Sequence, residues 1–177
     1  MSNTDNVLKV MGDLKSLKRR GWILRSCVET ESDADHSWGV AFLVMIYTPS
    51  HLDKKKCLEL ALIHDLAEIR AGDITPNDEC SLDEKKQKEM DAIFQISKEL
   101  DRPELKILFE EFEKQETKEA LFVRDLDKID MMMQLRYFIE NSKISKAVWS
   151  EFYQHSKEKI KTQEGKSLFE KVCKKYV

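Results

Sequence analysis

Apolar residues along the chain recur at helical spacing rather than in alternation. Over residues 4–18 they fall at Val7, Leu8, Val10, Met11, Leu14 and Leu17, three and four apart as on one helix face. Gly21 is expected to end or bend that segment, and residues 22–33 read as irregular. Asp33 or Asp35 could cap a second helix running to Tyr47, which Thr48-Pro49-Ser50 then breaks. A third helix is expected from about Asp53. Leu58, Leu60, Ala61, Leu62 and Leu66 give it a broad apolar face and a central place. Gly72 and Pro76 close it, so Ala71-Gly-Asp-Ile-Thr-Pro76 reads as a loop.

From Ser81 to Leu100 the chain is rich in charge yet periodic, with Met90, Ile93, Phe94 and Ile96 on one side. Pro103 is suited to the first turn of the next helix, which Leu105, Leu108, Phe109 and Phe112 continue. Residues 117–140 carry Ala120, Leu121, Val123, Leu126, Ile129, Met133 and Tyr137. Residues 144–175 predict two short amphipathic helices separated near Gly165. No stretch alternates with period two. The pattern predicts an all-α helical bundle of about six to eight helices, one domain over residues 1–177.

Composition narrows the class. The 177 residues carry 30 Lys and Arg against 33 Asp and Glu, a net charge of −3, which argues against binding a nucleic-acid polymer through bulk positive charge. Hydrophobic residues make up 41%, enough for a packed core. The longest apolar run, Val40 to Tyr47, falls short of the roughly 20 residues a membrane span needs, so it is expected to be buried. The N-terminal Met1-Ser-Asn-Thr-Asp-Asn is polar and lacks a signal-peptide core. Cys27, Cys57, Cys80 and Cys173 are scattered and form no CxxC pair. They read as reduced thiols of a cytoplasmic protein rather than as zinc ligands.

Four histidines are present, and two keep unusual company. His64 and Asp65 sit inside the apolar stretch Leu58-Glu-Leu-Ala-Leu-Ile-His-Asp-Leu-Ala-Glu68, where a carboxylate is costly unless paired or bound to a metal. Glu68, four residues on, is expected to share the face of His64. His36 opens the apolar helix Ser37-Trp-Gly-Val-Ala-Phe-Leu-Val44, and Asp127 lies between Val123 and Met131, each four residues away. Two His and two Asp from three helices make an N/O donor set suited to Mn, Fe, Co, Ni or Zn, and the carboxylates also admit Mg. Each residue has a plain alternative: His36 and His64 as core histidines, and Asp127 paired with Lys128. Lys18-Arg19-Arg20 could be a solvated helix end, Gly72-Asp73 a helix terminus, and Trp22 and Trp38 core aromatics. Arg124 and Arg136 read as ion-pair partners, His51 and His155 as surface residues, and Met131-Met-Met133 as core or dimer packing. The conjunction of His, His-Asp and Asp is stronger than its parts, because each buried polar group otherwise needs its own partner.

Five ordered blocks carry a resemblance. They are Arg19-Arg-Gly-Trp22, Glu31-Ser-Asp-Ala-Asp-His-Ser-Trp38, His64-Asp-Leu-Ala-Glu68, Gly72-Asp-Ile-Thr-Pro76, and Leu126-Asp-Lys128 with Asp130 and Met131 following. Over roughly residues 10–140 the chain resembles the HD-domain metal-dependent phosphohydrolases, and within them the 5′-deoxynucleotidase branch. The resemblance implies that His36, His64, Asp65 and Asp127 hold a divalent metal ion and that Glu68 is the catalytic acid residue. It implies that Glu68, Asp73 and the Ile74 carbonyl could serve a second, weaker ion. Arg19 and Trp22 would contact the substrate phosphate, although Arg20 could take the role of Arg19. Asp73, Ile74, Thr75 and Pro76 would border the sugar. The implied substrate is a deoxyribonucleoside 5′-monophosphate, and the implied assembly is a homodimer. Two alternatives stand beside it: another HD-type phosphohydrolase acting on an alarmone or other nucleotide, and a non-catalytic helical module with a structural metal. The Gly-Tyr-Pro signature of the cyclic-dinucleotide branch does not occur in the chain.

Overall fold

A computed structural model describes residues 2–27, 29–75 and 78–176. Among them are eight helices of nine or more residues, two single helical turns and one 3-10 turn. The first helix, α1 (Asn3–Ser16), ends before Gly21, because Leu17 leaves it in an extended conformation. The chain then makes one antiparallel bridge, Lys18 to Ser32, in which the Arg19 N–H donates to the Glu31 carbonyl at 3.1 Å. That bridge sets Arg19 beside the start of α3. Gly21 belongs to a single turn, α2 (Arg20–Ile23), inside the stretch expected to be irregular.

Helix α3 (Asp33–Tyr47) is capped by Ser32 rather than by either aspartate. The Ser32 hydroxyl accepts from the Asp35 N–H at 3.2 Å. The Asp35 carboxylate in turn accepts from the Ser32 N–H at 2.8 Å, closing a capping box. Asp33 is thereby free of capping duty and is fully buried. The apolar run of α3 is buried on one side only. Val40, Ala41, Leu43 and Val44 face the core, while Trp38, Phe42, Met45 and Ile46 are exposed. Trp38, expected in the core, is 67% exposed and stacks on Phe42 with centroids 5.4 Å apart.

Asp53 caps α4 (Lys54–Ile63), its carboxylate accepting from the Lys56 N–H at 3.1 Å. The helix expected to continue to Gly72 stops at the His-Asp pair. From Leu66 the backbone bonds tighten to a three-residue spacing, Leu66 to Ile63 and Glu68 to Asp65, both at 3.0 Å. A single turn, α5 (Glu68–Ala71), follows and ends at Gly72, whose φ of +81° suits glycine. Next come α6 (Leu82–Glu99) and α7 (Glu104–Lys114), the latter entered from Pro103.

Helix α8 (Lys118–Glu140) is the axis of the fold, buried on several sides through Phe122, Val123, Leu126, Ile129, Met132, Leu135 and Phe138. Helices α3, α4 and α7 pack on it, as do α9 (Trp149–Lys157) and α10 (Gln163–Cys173). Gly165 lies within the first turn of α10 and does not separate the last two helices; residues 158–162 do. Its role is clearance. A Cβ there would overlap the carboxylate of Asp125. Asp125, buried in α8, accepts from the Lys161 and Thr162 N–H groups at 2.8 Å each and from the Thr162 hydroxyl at 2.6 Å. This anchors the entry to α10. No helix among the described residues is long and apolar enough to cross a membrane.

Candidate active site

Three elements bring the sequence-predicted donors together. His36 stands in the first turn of α3, His64 and Asp65 at the end of α4, and Asp127 midway along α8. Ligand atoms of His36, His64 and Asp65 lie within 4.8 Å of one another. His36 Nε2 is 3.3 Å from Asp127 Oδ1 and 3.7 Å from Asp65 Oδ2, and His64 Nε2 is 3.3 Å from Asp65 Oδ1. Both Nε2 atoms are buried with no hydrogen-bond partner.

The other ring nitrogens explain this arrangement. His64 Nδ1 lies 2.8 Å from the Ala61 carbonyl, which can only accept, so Nδ1 carries the proton and Nε2 the lone pair. His36 Nδ1 is held by Asp130 Oδ2 at 2.7 Å. Such outer partners fix the tautomer and aim of a metal-binding imidazole. Asp130 reaches α3 only because residue 39 is glycine; a Cβ there would overlap Asp130 Oδ1. Two buried, unpartnered imidazole nitrogens converging on two carboxylates fit a divalent cation, whose binding would displace any proton on His36 Nε2.

The electrostatics agree. Burial pushes the His64 imidazole down. Burial and Arg19 would do the same to His36, but Asp127 and Asp130 carry it up to about 10, so positive charge is favoured at this point. Burial opposes the charge on Asp127, yet Lys128, at 2.9 Å, and His36 hold its carboxyl well below the usual range. Asp65 is likewise held low, burial being outweighed by His64, His36 and Arg19.

A second acidic group adjoins the first. Oxygens of Asp33, Glu68 and Asp73 lie within 4.8 Å of one another. With the backbone tightened after His64, Glu68 gathers with these carboxylates. Burial, then Asp65, Asp73 and Asp33, push the Glu68 carboxyl well above its ordinary range, and its Oε2 is buried without a partner. Burial and Asp65 carry Asp33 up to about 7. Asp33 was visible in the sequence only as a possible cap; its place next to the Ser32-Asp35 box is the signal that could have revealed it. Arg19 ties the two groups together, 3.0 Å from Asp65 Oδ2 and 3.6 Å from Asp33 Oδ1. Arg20 points elsewhere: its guanidinium pairs with Asp78 at 2.6 Å, and only its backbone N–H meets Asp73, also at 2.6 Å.

Trp22 is buried, stacked on Phe152, with its indole N–H donated to Glu31 at 2.8 Å. The Ile74 carbonyl accepts from Lys85 Nζ at 2.9 Å, and the Thr75 N–H and hydroxyl both donate to Asp78 at 2.8 Å. Pro76 lies outside the described residues. A cavity of about 370 Å³ opens over these groups, lined among others by Arg19, Trp22, Asp65, Glu68, Ile74 and Asp127. Two further residues line it, Arg124, ion-paired as expected, and His155, exposed as expected. Arg124 pairs with Glu113 at 2.7 Å and lies over Phe112. His51 remains exposed, and Met132 is core.

A helical fold carrying His, His-Asp and Asp around a polar cavity defines a class, and comparison assigns it. A family model described as the HD domain matches residues 11–167, and the chain belongs to the HD-domain family. Among curated relatives it is 40% identical to a Mus musculus protein named 5′-deoxynucleotidase HDDC2, over 72% of this chain and 65% of that protein's length. It is 34% identical to 5′-deoxynucleotidase hdd1 of Schizosaccharomyces pombe, over 81% of this chain and 78% of that one. The chain thus matches just under two thirds of the length of the mouse protein. Among solved structures, a conserved hypothetical protein of Pyrococcus furiosus superposes with a TM-score of 0.80 at 30% identity, over 97% of this chain and 99% of the other.

Because Gly39 clears the path of Asp130 to His36, Gly39→Ala and Asp130→Ala are expected to weaken binding of a divalent ion alike, by roughly 10–100-fold. Isothermal titration of metal-stripped protein with Mn or Co checks this. Unchanged affinity in both variants would show that Asp130 does not orient His36.

Proposed function

We propose that this chain is a metal-dependent 5′-deoxynucleotidase, releasing phosphate from deoxyribonucleoside 5′-monophosphates. The observation that carries the proposal is the pair of buried, unpartnered imidazole nitrogens of His36 and His64 facing Asp65 and Asp127 at a cavity lined by Arg19 and Glu68. The named activity of the curated relatives supports the same reading. His36, His64, Asp65 and Asp127 would hold the primary ion, and Asp33 joins Glu68 and Asp73 as donors for a second. A divalent ion there supplies charge stabilisation at a phosphoryl group and makes a bound water more acidic.

The chain's own groups then divide the work. The Arg19 guanidinium, fixed by Asp65 and Asp33, presents donors to phosphate oxygens. With no second ion bound, Glu68, whose surroundings favour its protonated form, would give a proton to the departing 5′ oxygen. Close packing along Asp73, Ile74 and Thr75 would exclude a 2′-hydroxyl. One HD domain over the whole chain fits this reading, since α9 walls the cavity and α10 docks on α8 through Asp125.

The assembly proposed is a homodimer in the cytoplasm. Its interface would be the exposed stripe Trp38, Phe42, Met45 and Ile46 of α3. Exposed apolar stripes of this kind mark interaction surfaces. The four cysteines are free, in keeping with a reducing compartment.

Metal-stripped protein resupplied with Mn, Co or Mg is expected to release phosphate from 5′-dNMPs and not from 5′-NMPs. Glu68→Gln should lose about 100-fold or more in kcat. No release from any monophosphate with any metal would overturn the reading in favour of a structural metal module. Phe42→Glu is expected to convert a dimer to a monomer by light scattering on a sizing column. A wild-type monomer at micromolar concentration would refute that interface.

A further inference from the structure

The part of the cavity wall built from α8 and the end of α9 is rich in cations. Arg124, Lys128, His155 and Lys159 all line it. Most of the lysine and arginine side chains around the cavity have a carboxylate of their own. Arg124 has Glu113 at 2.7 Å, Lys128 has Asp127 at 2.9 Å, Lys85 has Glu89 at 3.5 Å, and Arg25 has Glu151. Lys159 is the exception. Among the described residues it forms no ion pair with a carboxylate, and its Nζ donates to His155 Nε2 at 2.8 Å.

That hydrogen bond leaves Lys159 without a carboxylate counterion of its own among the described residues. The His155 ring accepts through Nε2 and is therefore neutral, with its proton on Nδ1. Like charges surround the ammonium. Burial, then Lys128, with Arg124 and Lys85 adding to it, hold Lys159 below its ordinary range, and only Asp127 pulls the other way. His155 is held down by burial, Lys159 and Lys128, against the opposing pull of Glu158 and Glu151. A lysine at the cavity wall with neighbouring cations and no carboxylate of its own is a favourable place for an anionic ligand.

We propose that Lys159, with His155 and Lys128, forms a phosphate-binding subsite on the α8–α9 wall of the cavity. Lys159 and His155 are not members of the His36–His64–Asp65–Asp127 cluster, while Lys128 is ion-paired to its Asp127 at 2.9 Å. The ligand is a phosphate group, either the one transferred or a second one carried by the same nucleotide. The neutral His155 ring positions the Lys159 ammonium, and Lys128, next in sequence to Asp127, links the wall to the metal cluster. The source of the phosphate rests on the phosphohydrolase reading, but binding itself does not.

The test therefore reads binding before turnover. Inorganic phosphate is titrated into Mg-loaded full-length protein while the imidazole resonances of His155 are followed by NMR. Saturable shifts are expected in the wild type. Lys159→Met should weaken the apparent affinity about tenfold, the worth of one charge-assisted hydrogen bond, and Lys159→Arg should restore most of it. Thermal melts confirm that both variants are folded. Absence of a His155 response, or phosphate binding by Lys159→Met as tight as the wild type, overturns the proposal.

A kinetic arm identifies the phosphate. If Lys159→Met raises KM for a deoxynucleoside 5′-monophosphate and for a 3′,5′-bisphosphate alike, the subsite holds the transferred group. If only the bisphosphate is affected, it holds the second. If neither is affected, the subsite plays no part in substrate binding and the proposal fails. A chain that turns over no monophosphate, yet binds phosphate through Lys159, would defeat the deoxynucleotidase reading and leave the subsite standing.

Discussion

The structure depends on an electrostatic debt at its centre. Two imidazole nitrogens, His36 Nε2 and His64 Nε2, are buried without hydrogen-bond partners, facing the carboxylates of Asp65 and Asp127. Burying such groups unpaired costs several kcal/mol. The fold accepts the cost and fixes the groups from outside. Asp130 holds one ring, the Ala61 carbonyl the other, and Lys128 holds Asp127. Local choices elsewhere serve the same end. Gly39 clears the approach of α8 to α3, and the Ser32–Asp35 capping box leaves Asp33 free to turn inward.

Around this centre, neighbouring carboxylates are pushed in opposite directions. Asp65 and Asp127 are held in the ionised form by imidazoles, Arg19 and Lys128, while burial and mutual repulsion drive Glu68 up and carry Asp33 to about 7. Neighbouring carboxylates with separated proton affinities are how one site provides both fixed negative charge and a proton donor. Arg19 spans the boundary between the two groups, and its own place follows from the short bridge that pairs Lys18 with Ser32. Backbone pairing four residues before His36 thus decides which arginine enters the cavity and which stays with Asp78.

The sequence displayed the helical class and the central donors because both rest on local patterns. His64-Asp65 interrupts an apolar run, and Asp127 falls on the core face of α8, so each stood out as a polar residue in an apolar place. What stayed hidden depends on contacts distant in the chain. The break of the third helix at His64 comes from tightened hydrogen bonding that apolar periodicity does not register. Trp38 is hydrophobic yet outside, because α3 has apolar residues on both faces and periodicity alone cannot say which is covered. Gly165 reads as a helix breaker but serves as clearance for Asp125. Lys85 and Lys159 sit in polar stretches where a lysine carries no information; only the folding of α6 and α9 over the cavity gives them a site.

The most direct test of the central claim is the position of a bound ion. Crystals grown with Mn and measured for its anomalous signal should show one ion bonded to His36 Nε2, His64 Nε2, Asp65 and Asp127, with metal–ligand distances of about 2.0–2.3 Å. An ion found only among Asp33, Glu68 and Asp73, with both imidazoles unbound, would contradict the account.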